Sequence, residues 1–492
     1  MSAQPTTWRR SSGFVWSMLG SAIGFANILS FSAQCYKNGG GAFLIPFICA
    51  ILLLGLPMLL LEGAIGQVMR LPLVSAFGQA AGRVGKTFGW LAIIAVSTIG
   101  MFYVVLTGYS IAYTYFSGVG AIPSDTATFF KQTFLRDTES LTKFGSLSWP
   151  VLLSTGGVLL FAWAVLARNI RSGIERICTL ALPLLTLLMA LFALLVAFLP
   201  GALDGWRHYL SPDFSKLSDP HLWRDVFGHV FFSFSLGIGI VTGYSRHTGT
   251  TTSIPRAMAF VALGDLLVSL IAGFAIFGGV GFLSHTMGIP FNEIVKSDST
   301  FEMGFVIFPK ILQQLGPLSP YIGALFFGCI FIAGITGVFS IMESVMGNIQ
   351  VEFSRSRRAA AAITTAILLA GATLFSFGNG QAIIGSLAPM VLGNNMLLGG
   401  LAEIVIFLYL NKKIKGDAIW TTSSLGRGSR LSLQFFAPCI LAIILATSIR
   451  AEMGGTLALS EFIRWGWLGG ALLLSLALSW KRRPSEQLAP AA

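Results

Sequence analysis

The sequence has few charged residues for its length. Only 11% of its 492 residues are Asp, Glu, Lys or Arg, whereas soluble proteins carry about 25%. Hydrophobic residues make up 54% of the chain. This composition excludes an ordinary soluble enzyme, a nucleic-acid-binding protein and a disordered chain, because each of these needs more polar surface. It predicts a polytopic membrane protein whose partner is the lipid bilayer and not a nucleic acid.

Cysteine and histidine are also scarce. The five cysteines lie far apart, mostly inside apolar runs and without Cys-x-x-Cys spacing, so we expect neither disulfides nor a thiolate metal centre. The five histidines show no spacing typical of metal ligands, and the chain has no His-Glu-x-x-His motif. No catalytic dyad stands out within the apolar segments. The sequence therefore predicts a protein that is not an enzyme.

Long apolar runs predict twelve membrane-spanning helices, since about 20 helical residues cross a bilayer. We number the predicted spans 1 to 12 in chain order, and they cover 12–36, 41–69, 87–117, 149–167, 175–199, 222–245, 256–283, 317–350, 359–377, 388–410, 432–449 and 462–480. An even number of spans places both termini on one side. Most of the 32 Lys and Arg residues fall on that side, so the positive-inside rule predicts cytoplasmic termini in a multi-pass protein of the plasma (cell or bacterial inner) membrane.

Spans 1 and 6 contain small and polar residues at the depth of the bilayer centre. Span 1 has Gly20-Ser21-Ala22-Ile23-Gly24 followed by Asn27, and span 6 has FSFSLGIG at 232–239. Such weak helix formers predict an unwound backbone, which persists in a membrane only where it lines a cavity. A Gly-x-x-x-Gly packing face is the alternative for span 1 taken alone. The matching positions predict two inverted five-helix repeats, spans 1–5 and 6–10, with a binding site between them.

The predicted fold is therefore an all-α polytopic membrane protein in which spans 11 and 12 follow the two repeats. Its segments are a cytoplasmic amino terminus at 1–11, the first repeat at 12–199, an extracellular connection at 200–221, the second repeat at 222–410, a cytoplasmic loop at 411–431, spans 11 and 12 at 432–480, and a cytoplasmic tail at 481–492. The loops leave no room for a sizeable soluble domain.

Several ordered motifs resemble those of the neurotransmitter:sodium symporters, a family that includes the bacterial leucine transporter with its inverted repeats. The motifs are Trp8-Arg9-Arg10, GSAIGFAN at 20–27, NGGGAFLIPF at 38–47, Gly173-Ile174-Glu175-Arg176, FFSFSLGIG at 231–239, GFVIFP at 304–309 and AGITG at 333–337. The resemblance runs from Trp8 to about Glu403. It implies a sodium-coupled amino-acid symporter that works by alternating access.

The resemblance implies two sodium sites built from hard oxygen ligands. The first would comprise the Ala22 carbonyl and the side chains of Asn27, Ser233 and Asp265, completed by the carboxylate of the substrate. The second would comprise the carbonyls of Gly20, Ile23 and Ala333 and the hydroxyl of Thr336. Gly337 replaces the next oxygen donor of this second site, so we expect one or two Na+ ions.

Asp265 stands where the family more often has Asn. In chloride-dependent members a bound anion beside the first site offsets the sodium charge. Asp265 already supplies a negative charge there, although Ser269, one turn later, matches the chloride-type residue. We therefore expect transport to be independent of chloride. A proton-coupled or uncoupled carrier of the same fold is the alternative, and Gly337 and the titratable Asp265 favour it.

By position, the resemblance places the substrate pocket at the two unwound segments, with the lining residues Ser21, Ala22, Phe25, Ala26, Ile99, Tyr103, Phe232, Ser233, Ser235, Ile238 and Ile341. Unwound backbone offers N–H groups to a carboxylate and carbonyls to an ammonium. Gly24 stands where amine-transporting relatives carry an aspartate, and the side-chain subsite is apolar at Ile99, Phe232, Ile238 and Ile341. These features predict a hydrophobic or aromatic L-amino acid as the substrate.

The ion pairs that close such a transporter are harder to place. The extracellular pair of the family would fall at Ser30 and Ala388, so we expect the aromatic residues Tyr103 and Phe232 to close the outer side instead. On the cytoplasmic side, Arg9 or Arg10 is the expected cation and Glu352 is the suggested acid. The other acids within the spans are Glu62, Glu403 and Glu343, and Glu343 has no role in the resemblance.

Overall fold

The computed structural model describes residues 7–294, 300–453 and 458–480. Residues 1–6 of the predicted amino-terminal segment and the predicted tail at 481–492 lie outside the described residues. Within the described ranges the regular elements are helices, without strands, and isolated β-bridges join Gly40 to Pro212 and Leu147 to Phe377. The predicted all-α fold class is thus confirmed.

Nine helices of the described ranges are long and apolar enough to cross a membrane. They correspond to spans 2, 3, 4, 5, 7, 8, 10, 11 and 12, with the bounds Gly41–Met69, Leu73–Gly118, Trp149–Leu166, Arg171–Ala197, Ile254–Met287, Gly316–Glu352, Gly380–Leu410, Ser424–Arg450 and Leu459–Ser479. A bent pair of helices, Ser11–Ala22 and Ala26–Lys37, is a tenth candidate and occupies span 1. The count of twelve spans stays a prediction.

Spans 6 and 9 are not among these nine helices. Span 9 is the helix Arg357–Leu374, and span 6 consists of the two helices Pro220–Ser233 and Ile240–Ser245. Pro220 suits the first turn of Pro220–Ser233, because a backbone N–H at this position has no partner within the helix and proline lacks that N–H. The Asp219 side chain accepts a hydrogen bond from the backbone N–H of His221 and caps the same end.

Two elements differ from the expected boundaries. The helix Leu73–Gly118 is longer than predicted span 3, but its backbone is kinked at Ala81 and Gly82, where Gly82 has a φ of +61°. The part before the kink is therefore a separate short helix ahead of the spanning segment. The connection at 200–221 contains an additional helix, Ala202–Leu210. Its glycine at 205 packs against the backbone of Phe277 in span 7, where a side chain would not fit.

The helices of spans 1 and 6 are both interrupted halfway. In span 1 the two helices meet at 52°, and Ile23 at the break has extended backbone dihedral angles. In span 6 a turn covers 234–239, where Gly237 and Gly239 have φ values of +73° and +74°. Glycine suits these positions because a β-carbon disfavours the left-handed region. The turn packs closely on span 10, since a β-carbon at Gly237 would collide with the carbonyl oxygen of Met396.

Candidate functional site

A small cavity of about 30 Å³ lies between the two helix breaks. Its lining includes all of the residues expected to form the substrate pocket: Ser21, Ala22, Phe25, Ala26, Ile99, Tyr103, Phe232, Ser233, Ser235, Ile238 and Ile341. The structure therefore brings together residues from spans 1, 3, 6 and 8. Further lining residues, which the sequence did not predict, are Gly24, Ile240, Gly337, Ser340 and Met396.

The broken backbones meet at this cavity. The Ser235 hydroxyl donates to the carbonyl oxygen of Ser21 at 3.5 Å, which links the turn of span 6 to the break of span 1. Ser235 has a φ of +54°, an uncommon conformation for a residue with a β-carbon. The buried hydroxyl of Ser21 has no hydrogen-bond partner among the described residues. Polar groups thus lie at the breaks, next to apolar side chains from spans 3 and 8.

Aromatic side chains separate this cavity from a larger one, named the outer cavity because it lies on the side predicted to be extracellular. Phe25 and Tyr103 pack edge to face, with ring centroids 5.0 Å apart. Together with Phe232 they line both the small cavity and the outer cavity, whose volume is about 560 Å³. Ser30 and Ala388, the positions of the family's extracellular ion pair, also line the outer cavity. The three aromatic residues are therefore the partition between the two cavities.

Three of the residues expected at the first sodium site form a tight buried cluster. The Asn27 amide nitrogen donates to Asp265 Oδ1 at 2.6 Å and to Ser233 Oγ at 3.2 Å. The Ser233 hydroxyl donates to the same Asp265 oxygen at 2.7 Å. The second oxygen, Asp265 Oδ2, is buried without a hydrogen-bond partner among the described residues. A buried carboxylate oxygen without a donor is a suitable ligand for a hard cation, so this cluster fits sodium.

Ala22, the remaining residue of the expected set, lines the same cavity as Ser233. The Asn27 side-chain oxygen accepts a hydrogen bond from the backbone N–H of Gly24 at 2.9 Å, which ties the break of span 1 to the cluster. Ser269, the chloride-type position, also belongs to the cluster, since Asn27 Nδ2 lies 3.0 Å from its hydroxyl oxygen. The cluster therefore connects spans 1, 6 and 7.

Residues expected at the second sodium site lie where spans 1 and 8 touch. A β-carbon added to Gly20 would lie 3.1 Å from the Thr336 β-carbon. The Thr336 hydroxyl donates to the carbonyl oxygens of Ile332 and Ala333, both at 3.0 Å. Ile23 is buried at the break of span 1. A β-carbon at Gly337 would lie 2.4 Å from the hydroxyl oxygen of Tyr103, so this position also adjoins the cavity.

The buried acids outside the two expected sodium sites differ in their contacts, since both oxygens of Glu403 lack a hydrogen-bond partner among the described residues. Glu62 in span 2 accepts a hydrogen bond from the backbone N–H of Gly237 at 2.8 Å and also interacts with Glu403 of span 10. It therefore holds the turn of span 6 in place. Glu343 contacts Arg357 at 2.7 Å, as well as Arg246.

The residues suggested for the cytoplasmic gate make other contacts than the predicted pairing. Glu352 lies 2.7 Å from Lys86 and accepts a hydrogen bond from Ser75. The backbone N–H of Arg9 donates to the Glu175 carboxylate at 2.9 Å. Glu175 follows span 4 in sequence, and its position predicts no contact with the amino terminus. These contacts involve the Arg9 backbone and not its guanidinium, so the pairing of Glu352 with Arg9 or Arg10 stays a prediction.

Met396 is a lining residue that sequence reasoning missed. Span 10 reaches the cavity through its close packing on the turn of span 6, because Gly237 lies against Met396 and Gly399 lies against the carbonyl oxygen of Gly237. This contact joins residues that are far apart in the chain. Ser340, one turn after Gly337, donates to the Gly337 carbonyl at 2.8 Å, and its position on the same face of span 8 as Ile341 could have indicated it.

Comparison of sequences shows extended similarity to sodium-dependent transporters. The chain matches the Sodium:neurotransmitter symporter family over residues 5–126 and 118–480. An uncharacterized sodium-dependent transporter of Methanocaldococcus jannaschii is 33% identical over 404 residues, which cover 82% of both chains. The sodium-dependent dopamine transporter of Bos taurus is 26% identical, over 96% of this chain and 73% of the relative. The sodium- and chloride-dependent GABA transporter 2 of Rattus norvegicus is 28% identical, over 69% of this chain and 61% of the relative.

Comparison of structures gives the same fold. The crystal structure of MhsT in complex with L-phenylalanine superposes with a TM-score of 0.78. The superposition covers 90% of this chain and 99% of MhsT, with 26% sequence identity. The similarity extends over the whole helical arrangement and not over the cavity alone.

Proposed function

This chain belongs to the sodium:neurotransmitter symporter family, and we propose that it is a sodium-coupled symporter of hydrophobic or aromatic L-amino acids. The observation that carries the proposal is the cavity between the two helix breaks, with the Asn27, Ser233 and Asp265 cluster beside it. Bound amino acid and bound sodium would be neighbours there. MhsT, which has the same fold, was crystallised with a hydrophobic amino acid.

The proposed substrate is a zwitterion with an apolar side chain. Its carboxylate would lie at the break of span 1, next to the unpaired Ser21 hydroxyl, and would complete the sodium shell. A β-carbon at Gly24 would lie 2.6 Å from the Tyr103 hydroxyl oxygen, so the site has little room for the aspartate that amine carriers use. Ile99, Ile238 and Ile341 surround the side chain with apolar surface and would leave a charged one without a partner.

Sodium and substrate would each strengthen the binding of the other. If the substrate carboxylate is one of the sodium ligands, either ligand binds more tightly in the presence of the other, and the coupling free energy is the same in both directions. Asp265 would supply the negative charge that chloride supplies elsewhere in the family, so transport would not require chloride. The second sodium ion would bind at Gly20, Ile23, Ala333 and Thr336, with a weaker shell than in relatives that carry an oxygen at 337.

Transport would proceed by alternating access. We place the chain in the plasma membrane with twelve spans, two inverted repeats and cytoplasmic termini. The breaks in spans 1 and 6 support this arrangement, as do the helices found in spans 6 and 9. From the outside, substrate would enter through the outer cavity and pass the partition of Phe25, Tyr103 and Phe232. Closure of that partition would remove water from the site before the cytoplasmic side opens.

Uptake into proteoliposomes tests the proposal. Radiolabelled phenylalanine uptake should require an inward sodium gradient, stop when choline replaces sodium, and continue when gluconate replaces chloride. Leucine and tryptophan should compete strongly, whereas lysine, glutamate and tryptamine should not. Strong competition by tryptamine would contradict the role of the carboxylate, and strong competition by lysine or glutamate would contradict the apolar subsite.

A proton-coupled or uncoupled carrier of the same fold is the second candidate. Gly337 favours it because the second sodium site lacks an oxygen, and Asp265 favours it because a carboxylate can carry a proton. The same vesicles separate the candidates. Uptake that persists in choline and follows an imposed pH gradient would support proton coupling, and uptake that follows neither gradient would support an uncoupled carrier.

A further inference from the structure

The proposed transport cycle assigns no role to Glu343, although its carboxylate is the centre of the most highly charged buried cluster among the described residues. Glu343 lies in span 8 with no solvent exposure. Two nitrogens of Arg357 reach its two oxygens, at 3.2 and 2.7 Å. Arg246 lies 3.4 Å from Oε1, and His247 lies 3.6 Å from the same atom.

The two arginines are held in different ways. Arg357 contacts both oxygens of Glu343, and its Nε also donates to the carbonyl oxygens of Leu166 and Arg168 at 2.9 and 2.7 Å. These contacts join span 9 to span 8 and to the end of span 4. Arg246 makes a longer contact to a single carboxylate oxygen, and its Nε donates to His247 at 2.9 Å. Bidentate arginine–carboxylate pairs are the stronger type, so Arg357 is the fixed partner and Arg246 is the weaker one.

Arg246 lies at the end of the short helix that forms the inner half of span 6. It follows the inner half of span 6, Ile240–Ser245, which begins directly after Gly239 in the left-handed conformation. The inner half is also tied to the amino terminus, because Trp8 donates from Nε1 to the carbonyl oxygen of Tyr244 at 3.0 Å and from its backbone N–H to that of His247 at 3.1 Å. A movement of this half would carry Arg246 away from span 8.

We propose that Arg246 and Glu343 form the releasable contact that holds the cytoplasmic side closed, with Arg357 as the permanent counter-ion of Glu343. This inference rests on the proposed alternating-access function. A buried carboxylate that lost its only cation would be heavily penalised. Because Arg357 stays bound, Arg246 can leave without stranding the charge of Glu343. The contact is therefore strong enough to favour closure and weak enough to be broken in each cycle.

Alkylation of Cys178 measures opening directly and needs no transport. Cys178 is fully buried in span 5, and its sulfur lies 3.3 Å from where a β-carbon at Gly20 of span 1 would be, so it becomes reactive when the inner half of span 1 moves away. The protein is purified with Cys35, Cys49, Cys329 and Cys439 replaced by alanine, and N-ethylmaleimide labelling is followed over time. A Cys178→Ser sample establishes that labelling occurs at this residue.

Arg246→Gln should raise the labelling rate, by about tenfold if the contact is of the usual strength of a partly buried ion pair. Arg246→Lys keeps the charge and should label at close to the wild-type rate. Arg357→Gln leaves Arg246 as the arginine partner of Glu343, so labelling should be equal to or slower than wild type. Glu352→Gln, which removes a different acid of span 8 that pairs with Lys86, is the matched control and should leave the rate unchanged.

Several results would overturn the assignment. These are a wild-type rate in Arg246→Gln, an equal increase in Arg246→Lys, and an equal increase in Arg357→Gln or Glu352→Gln. Gel filtration and melting temperature of each variant show whether it is folded, and Glu343→Gln provides a second removal of the same contact, with increased labelling expected. If the wild-type protein lacks sodium-driven uptake while Arg246→Gln still labels faster, the proposed function fails and the assignment of the contact stands.

Discussion

Tyr103 packs against Gly337 so closely that a β-carbon at 337 would lie 2.4 Å from the tyrosine hydroxyl oxygen, 2.8 Å from Cζ and 2.9 Å from Cε1. A β-carbon at Gly24 would lie 2.6 Å from the same hydroxyl oxygen but 3.8 Å from Cζ. Carbon atoms in ordinary contact are about 3.5–4.0 Å apart. A side chain at 337 therefore conflicts with the ring itself, whereas one at 24 conflicts with the hydroxyl group alone.

This difference predicts which glycine substitution Tyr103→Phe can rescue. Gly24→Ala should weaken phenylalanine binding and lower the melting temperature, and the double variant Gly24→Ala/Tyr103→Phe should return both quantities to those of Tyr103→Phe alone. Gly337→Ala should be equally harmful, but Tyr103→Phe should not rescue it because Cζ remains. Binding is measured by scintillation proximity and stability by thermal shift. Rescue of Gly337→Ala, or no rescue of Gly24→Ala, would show that the collision is not the cause.

Asp265→Asn should reveal the role of the fixed negative charge. The substitution keeps one oxygen that can accept the hydrogen bonds from Asn27 and Ser233, but it replaces the unpartnered Oδ2 with an amide group and removes the charge beside the proposed sodium ion. We expect roughly a tenfold higher sodium concentration for half-maximal uptake, or a new requirement for chloride with Ser269 as its neighbour. Ser269→Ala is the control and should leave sodium dependence close to wild type. Unchanged sodium dependence of Asp265→Asn in chloride-free buffer would contradict the prediction.

Ser235 allows backbone strain to be separated from hydrogen bonding. Its φ of +54° disfavours any residue with a β-carbon, and its hydroxyl makes only a long 3.5 Å bond to Ser21. Ser235→Gly should stabilise the protein by roughly 0.5 kcal/mol, because relief of strain exceeds the entropic cost of glycine. Ser235→Ala keeps the strain and should melt no higher than wild type. Melting temperatures without substrate check this, and an equal gain in both variants would exclude strain as the source.

Glu62 should act through its hydrogen bond to the turn of span 6. Glu62→Ala leaves the Gly237 N–H without its 2.8 Å acceptor in a fully buried place, which costs about 1–3 kcal/mol. We expect a lower melting temperature and weaker phenylalanine binding, since the turn lines the cavity. Glu62→Gln keeps an acceptor oxygen and should retain most of the binding. If the glutamine variant is as impaired as the alanine variant, the carboxylate is needed for its charge and not for this bond.

The two helix breaks could be predicted because they depend on local structure: the small residues around Gly24 and the glycines at 237 and 239 disfavour a continuous helix. The eleven expected pocket residues follow from the family resemblance instead, because Ile99, Tyr103 and Ile341 lie in long helices without a local signal. Met396 and the partners of Glu343 depend on packing between distant segments. Arg246 and Glu343, for example, are 97 positions apart in the chain. No local pattern marks such contacts, and the cation of Glu343 could not be predicted.

Shorter elements were missed for a related reason. The helix Ala202–Leu210 has nine residues and lies in a segment expected to be a plain connection. A helix of this length is not stable by itself, and it forms here because it packs on span 7, where Gly205 and Gly278 allow close approach. The pattern of span 6 alone likewise gives no sign that span 10 supports its turn.

The two hydrogen bonds from Trp8 to Tyr244 and His247 have a kinetic consequence. They join the beginning of span 1 to the end of span 6, so neither inner half can depart while the other remains in place. Two helix segments connected in this way move together, with a single relaxation rate. Fluorescent probes attached to either inner half should therefore report one common rate constant. Replacing Trp8 with alanine removes the side-chain bond to Tyr244 and keeps the backbone bond to His247, so the connection weakens and the rate constants of the two halves should differ.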